Sequence, residues 1–409
     1  MLPIPTHNKE KIIALLLLVL VSSLFISRVV LSIATITFCA VSIVLYYNKI
    51  NKKLLHQHWA IISIATIVIL TLLSGLYSTN TTEWASRLLV KMPLIVLPIC
   101  LLIITVNHTI IYFVQALFIV LVTIGTVYTM SIYYLQPEAT LLAYNTAQVL
   151  PTILNNDHIQ YSITVVIALL LLTYQHQHIH TNRLKNINIG IGIWLIIFLH
   201  ILMCKTGLLL LYTTFFMYAS QKKEWRKPKI VLSIVLIVIA LPVICYNILP
   251  TVKKRIDYIK YDYSVYSKGL QLHGMSDGVR LTSLKAGVSI VKQHPIIGVG
   301  YGNVKAATYN YYASNTNLLP YEKILPSSQY VIVAAATGLV GLLLFVASLV
   351  SVFFVKKIRK NMYFISFYIP ILFSFIWEIH LEGQYGVFIF TFFTVWFYKY
   401  CTPTQLPTP

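Results

Sequence analysis

Residues 12–27 read IIALLLLVLVSSLFIS, and residues 29–47 read VVLSIATITFCAVSIVLYY, with Arg28 alone between them. Each stretch approaches the roughly 20 apolar residues that a helical membrane crossing needs. Neither alternates apolar with polar residues, so a half-buried strand is excluded. A segment inside a bilayer must satisfy its own backbone, as helix or closed barrel. The pair therefore reads as a helical hairpin. Lys9-Glu10-Lys11 precedes the first run as in a signal peptide. No small-residue cleavage site follows and the second run begins at once, so a retained anchor is expected.

The pattern recurs along the chain. Further apolar runs cover 58–77, 92–106, 108–132, 158–174, 188–203, 206–220, 229–250, 329–354, 362–377 and 385–399. Composition agrees: 58% of the 409 residues are hydrophobic and 10% charged, with a mean hydropathy of +0.77. Soluble domains are about 45–50% apolar and about 25% charged. A soluble enzyme is excluded. The expected fold class is an all-α polytopic membrane protein, with about twelve transmembrane helices and one large periplasmic loop domain between helices nine and ten. Residues 1–250 then hold helices one to nine, 251–327 the loop domain, 328–400 helices ten to twelve, and 401–409 a proline-rich cytoplasmic tail without fixed structure.

The charge has a direction. There are 31 Lys+Arg against 11 Asp+Glu, a net +20. Spread over a soluble face this would suggest nucleic acid. Here the cations fall in alternate loops, and no nucleic-acid partner is expected. Lys9, Lys11, Lys49, Lys52, Lys53, Arg183, Lys185, Lys222, Lys223, Arg226, Lys227, Lys229, Lys356, Lys357, Arg359, Lys360 and Lys399 lie on one side. Only Arg28, Arg87, Lys91 and Lys205 lie in the opposite short loops. The positive-inside rule puts both termini in the cytoplasm, and an even number of spans agrees. The long loop is exempt from that rule. The five cysteines form no CxxC, so neither zinc nor a redox pair is indicated. No internal repeat and no mid-span acid is visible, which weighs against a proton-coupled transporter.

Polar residues at span ends are costly near lipid and therefore informative. On the outer side they are Arg87 and Lys91; Asp157, His158 and Gln160; Lys205; Arg280 in the long loop; and Glu378, His380, Glu382 and Gln384. They read either as one outward-facing polar cavity or as separate snorkelling ends. Gly298, Gly300 and Gly302 alternate, and such a run can present backbone amides to an anion, although most are turns. No strand precedes it, so a dinucleotide fingerprint is rejected. His176, His178 and His180 read as a solvated loop rather than a metal site. Tyr258, Tyr261, Tyr263 and Tyr266 suit either stacking on sugar rings or the loop's own core. Asp257 and Asp262 show no glycosidase-pair geometry.

Several segments together resemble the O-antigen ligase family, whose membrane domain is shared with O-antigen polymerases. They are Ser276-Asp277-Gly278-Val279-Arg280, His294-Pro295-Ile296-Ile297-Gly298-Val299-Gly300-Tyr301-Gly302-Asn303, Leu325-Pro326-Ser327-Ser328-Gln329-Tyr330 and Thr337-Gly338-Leu339-Val340-Gly341. Similarity to Bacteroidota-type members extends to Leu76-Tyr77-Ser78 with Trp84, Arg87, Leu88, Lys91 and Pro93, to Lys205-Thr206-Gly207-Leu208-Leu209, to Tyr261-Asp262-Tyr263 with Tyr266, Lys268 and Gly269, and to Leu381-Glu382-Gly383-Gln384-Tyr385-Gly386. It covers about 76 to 390.

The resemblance implies a bacterial inner-membrane glycosyltransferase working on its periplasmic face without metal or cofactor. The donor would be an undecaprenyl-diphosphate-linked glycan. The acceptor hydroxyl would sit on a lipid A-core sugar for a ligase, or on the growing glycan for a polymerase. The non-catalytic alternative is a binder or exporter of the lipid-linked glycan. A diphosphate leaving group needs cations. Arg280 matches the family's loop arginine, and Lys205 stands where a second arginine is usual. Arg87, Lys91 and His158 complete the set expected around the diphosphate, and Tyr261 and Tyr263 the expected sugar contacts. Three positions depart from the pattern: Ser327 stands for the family's histidine, Gln160 for an arginine and Ala336 for an acid. A substitute base is then needed to act with Ser327. His380 ranks first for its side-chain chemistry, Glu378 second and His158 third.

Overall fold

Why a chain of apolar runs builds a polar cavity depends on where the runs stop. The computed structural model describes residues 6–145, 148–154, 157–222, 227–270 and 274–402. Lys223 and Arg226 of the cation set, and tail residues 403–409, lie outside the described residues. Among the described residues every regular element is helical and there is no strand. In chain order the main helices are α1 (Thr6–Ser23), α2 (Arg28–Tyr46), α3 (Trp59–Ser74), α4 (Thr81–Ile103), α5 (His108–Leu135), α6 (His158–His176), α7 (Asn182–Leu202), α8 (Lys205–Gln221), α9 (Pro228–Ile248), α10 (Pro250–Ser267), α11 (Asp277–Gln293), α12 (Val304–Asn315), α13 (Gln329–Val350), α14 (Met362–Ser374) and α15 (Gln384–Tyr400). Each apolar run of the sequence is centred on one of these. Among the described residues, six helical segments are long and apolar enough to cross a membrane: Arg28–Lys49, Thr81–Ile103, His108–Leu135, His158–His176, Asn182–Leu202 and Gln329–Phe354. α3 and α14 are shorter apolar helices.

Local chemistry sets the boundaries. Ser27 accepts from the Val30 amide at 3.2 Å, Asn107 from Ile110 at 2.9 Å and Asp157 from Gln160 at 3.1 Å, so each caps a helix start. α15 is buried on all sides, as an all-round apolar helix must be. It packs against α2, α4, α6 and α14, and Trp396, Phe392 and Phe388 stack along it. Its Lys399 ammonium donates to the carbonyls of Leu101, Leu102 and Ile104 at 2.9, 2.9 and 2.6 Å. Those are the orphan carbonyls at the end of α4.

The segment between α9 and α13 holds α10, α11 and α12. It has a small core of its own: Val279, Ala286, Tyr312 and Leu318, with Tyr309, Tyr311 and Ile324 against it. The segment is not a detached cap. α11 and α12 pack on α13, and α10 packs on α7. The glycine-rich turn docks into a break in α13, where Gly338 has φ 67° and ψ −173°. The Val299 and Gly300 amides donate to the Ala335 and Ala336 carbonyls at 2.9 and 2.8 Å, and the Leu339 amide donates back to Pro295 at 2.8 Å. Helix-broken backbone among apolar helices is tolerated only where such partners satisfy it. The Tyr301 and Gly302 amides go to Ser74 and Ser78 hydroxyls. These amides are committed to the fold, and the run of alternating glycines is a structural joint instead of an anion cradle.

The two ends of the bundle differ. Lys9 donates to the Leu45 carbonyl and lies, like Lys49, over the Tyr46 ring. At the opposite end of α2, Arg28 lies over the ring of Tyr385, where the polar residues converge.

Candidate functional site

Two cavities meet at that end. The first, about 390 Å³, is lined by Arg28, Arg87, Asp157, Gln160, His380 and Gln384, among others. The second, about 490 Å³, is lined by His158, Lys205, Arg255, Tyr263, Tyr266 and Asp277, among others. Ile159, Arg280, Ser327 and Glu378 line both. These four form the wall between them.

Each wall residue is held by a different element. Glu378 follows α14, and its Oε1 accepts from Arg280 at 2.8 Å and from the Thr206 hydroxyl at 2.8 Å. Oε2 has no hydrogen bond among the described residues. Arg280 also donates to the Trp377 carbonyl at 3.3 Å. Burial works against the Arg280 charge, but Glu378 outweighs it and holds the guanidinium protonated. Ser327 Oγ donates to the Arg280 carbonyl at 3.1 Å and shares a 2.9 Å contact with Ser283 Oγ.

Arg280 sits one turn into α11, and the start of that helix is fixed from outside it. The Asp262 carboxylate on α10 accepts from the amides of Ser276, Asp277 and Gly278 at 2.9, 2.7 and 2.9 Å. A carboxylate at a helix N-terminus answers both the orphan amides and the helix dipole. Tyr258 Oη donates to the Gly274 carbonyl and accepts from the Ser276 amide, both at 3.0 Å. Burial pushes its phenol up to about 12. α7 ends on Met203 in the left-handed region at φ 49°, which turns the chain so that Lys205 opens α8. Lys205 pairs with Asp277.

The sequence-derived candidates divide. Arg280, Lys205, His158, Ser327, Glu378 and Tyr263 reach the second cavity, and Arg87, Arg280, Ser327, Glu378 and His380 the first. Lys91 lines neither. It is fully buried, pairs with Glu382 at 2.7 Å and lies 4.4 Å from the Tyr301 ring centre. Arg87 pairs with Glu83 at 2.7 Å and stands 3.6 Å from Glu382. Tyr261 is 59% exposed and lines neither cavity. His380 is buried, with Nδ1 3.0 Å from Gln160 Nε2 and Nε2 2.8 Å from Ser374 Oγ. An amide donor at Nδ1 leaves the ring proton on Nε2. Burial lowers its pKa to about 4.

Three contributors were not singled out from the sequence as site residues. Arg28 read only as an orientation charge. Arg255 was one more basic residue of the long loop. Asp262 reads from the sequence as half of a rejected glycosidase pair and as part of the family-like Tyr261-Asp262-Tyr263 segment, without a role. For Arg28 the available signal was its isolation between two apolar runs.

A family model described as O-antigen ligase matches residues 190–346, from within α7 to within α13. The match contains Lys205, Arg255, Asp262, Arg280, Ser327 and the Gly338 break. This region is similar to an O-antigen ligase domain. No curated protein matches the chain. The matched region carries one side of the wall, and Glu378, His380, Arg28 and Arg87 reach it from segments beyond the match. The apolar helices and this domain together describe a multi-pass, glycosyltransferase-like membrane protein.

Proposed function

We propose that the chain is an inner-membrane glycosyltransferase of about twelve spans with both termini cytoplasmic. It moves a glycan from undecaprenyl diphosphate to an acceptor hydroxyl at its periplasmic face. The observation that carries this reading is the Arg280–Ser327–Glu378 wall between two cavities, with Arg280 and Ser327 inside the matched domain.

The donor diphosphate occupies the second cavity, where Lys205, Arg255 and Arg280 gather, with His158 at its edge. Cations there stabilise the charge that develops as the anomeric carbon–oxygen bond breaks. The acceptor hydroxyl attacks the same carbon from the first cavity. Its oxygen forms the new glycosidic bond, the diphosphate leaves, and the hydroxyl proton passes to Glu378. Glu378 is preferred to His380 because its Oε2 has no other hydrogen bond, whereas both ring nitrogens of His380 have partners. His380 with Gln160 and Lys91 with Glu382 act as positioning pairs. Tyr263 is the retained sugar contact.

The test is consumption of a lipid-linked glycan by purified protein, with Glu378→Gln alongside. Transfer by the parent and its loss in correctly inserted Glu378→Gln are expected. Full transfer by the variant removes Glu378 as base. Binding of donor without turnover by the parent selects the non-catalytic reading, which Ser327 in the family's histidine position favours. The acceptor in the assay separates ligase, our preferred reading, from polymerase.

A further inference from the structure

At the end of the bundle away from the wall, a cavity of about 500 Å³ opens between the start of α1, the end of α2 and the chain just past α4. Lys9 and Glu10 line it from α1, Tyr46 from α2, Asn48 and Lys49 from the turn that follows, and Thr105 from beyond α4. Two ammoniums meet here over one ring. Lys9 Nζ lies 6.0 Å and Lys49 Nζ 4.8 Å from the ring centre of Tyr46, so they are no further apart than those distances combined. Tyr46 is buried, which holds the ring in place. Neither lysine pairs with a carboxylate among the described residues, and Lys49 makes no hydrogen bond there either.

Cations at a helix C-terminus have an ordinary role, which is to answer the dipole and the orphan carbonyls. Here that role leaves donors to spare. Lys9 gives the Leu45 carbonyl one contact, at 3.3 Å, out of the three hydrogens an ammonium carries. The carbonyls that end α4, just before Thr105, are already taken by Lys399. Two cations against the single acid Glu10 leave the lining net positive. Glu10 narrows the choice of anion. Its charge opposes a phosphate dianion, and its oxygens only accept, so they suit hydroxyl donors. A phosphodiester monoanion that carries hydroxyls meets both demands. Apolar surface begins one turn away: Ile12, Leu15 and Val19 follow Lys9 along α1 at helical spacing, and all three are exposed, as is Val44 on α2. Basic pockets among helix ends are where anionic lipid head groups bind.

We infer that this cavity binds the head group of an anionic glycerophospholipid, phosphatidylglycerol, with its phosphodiester between Lys9 and Lys49 and its free hydroxyls toward Glu10, Asn48 and Thr105. The site is separate from the two cavities at the wall and does not depend on the transfer reaction.

Native mass spectrometry of the full chain in detergent, titrated with dioleoyl phosphatidylglycerol, reads the lipid retained. One bound molecule is expected at concentrations where dioleoyl phosphatidylethanolamine leaves none. Loss of one charge-assisted contact predicts a dissociation constant about tenfold higher in Lys9→Gln and in Lys49→Gln. Lys49→Arg should retain the lipid, because it keeps the charge. Lys356→Gln combined with Lys357→Gln removes two exposed cations of the same set outside the cavity and should also retain it. If Lys9→Gln disturbs the fold through its contact with Leu45, Lys49→Gln, which breaks no hydrogen bond, carries the test. Undiminished binding in Lys49→Gln overturns the site. Equal loss in the Lys356/Lys357 variant overturns it in favour of diffuse surface charge. Equal retention of phosphatidylethanolamine, or full displacement by inorganic phosphate, overturns the lipid assignment.

Discussion

Arg280 is where charge, position and domain match coincide. It lines both cavities and is held by Glu378. A charge-assisted contact to phosphate contributes roughly 1.5–3 kcal/mol, about ten- to hundredfold in binding or rate. Arg280→Ala should lower donor turnover by at least that much in protein that still inserts, and Lys205→Arg should retain it, since the guanidinium keeps the charge and adds a fork. Initial rates at varied donor concentration decide both. Unchanged donor binding in Arg280→Ala removes the diphosphate role. His380 gives a separate test through pH. Its pKa falls from 6.5 to about 4 on burial, so the unfolded chain binds the extra proton between those values. Stability from this group is therefore full above pH 6.5 and declines as pH falls toward 4. Thermal midpoints in detergent should fall across that window, with a shallower slope in His380→Gln. Equal slopes would show that His380 is not the titrating group. Glu378 was legible because an acid at the end of an apolar run stands out, and Arg280 because its segment resembles the family's loop arginine. Asp262 was not legible, because its partners are backbone amides 14 to 16 residues away and leave no trace in residue type.

At the level of elements, the decisive feature is the joint between the glycine-rich turn and the break in α13. Sequence reading found the alternating glycines and could not say what their amides bind, since Gly300 reaches a carbonyl 36 residues further on and Gly302 a hydroxyl 224 residues back. The joint makes a sharp prediction. A Cβ on Gly338 would stand 2.0 Å from the Ile296 carbonyl oxygen, in a left-handed conformation. That glycine-only conformation alone costs another residue roughly 1–3 kcal/mol, and the clash adds to it. Gly338→Ala should therefore lower the thermal midpoint and the yield of monodisperse protein. Gly383→Ala, where a Cβ meets nothing within 4 Å, should leave both unchanged. Equal behaviour of the two variants would mean the break is not held by this contact. The consequence for function is positional. α13 starts immediately after Ser327 and Ser328, so the docked turn and the wall share one support.

For the whole molecule, the arrangement of runs was readable because hydropathy and loop charge are summed over many residues, and single departures cancel. The convergence of the outer polar ends was readable only as one of two options, since a row of snorkelling side chains has the same sequence. Contacts spanning much of the chain, such as Gln160 to His380 and Arg280 to Glu378, select between them. The sidedness of the bundle carries the last prediction. If the cation asymmetry sets orientation, the end bearing both cavities faces the periplasm and the end bearing Lys9, Lys49 and Lys399 faces the cytoplasm. A membrane-impermeant thiol reagent added to intact cells should then label Lys260→Cys, an exposed position on α10, and spare Lys357→Cys, an exposed position between α13 and α14. The native thiols interfere little, because Cys39, Cys100, Cys204 and Cys401 are buried and Cys245 is half-buried. Permeabilised cells should label both, which controls for access. Labelling of Lys357→Cys alone in intact cells would invert the topology and place the Arg280–Glu378 wall on the wrong side for a periplasmic glycan transfer.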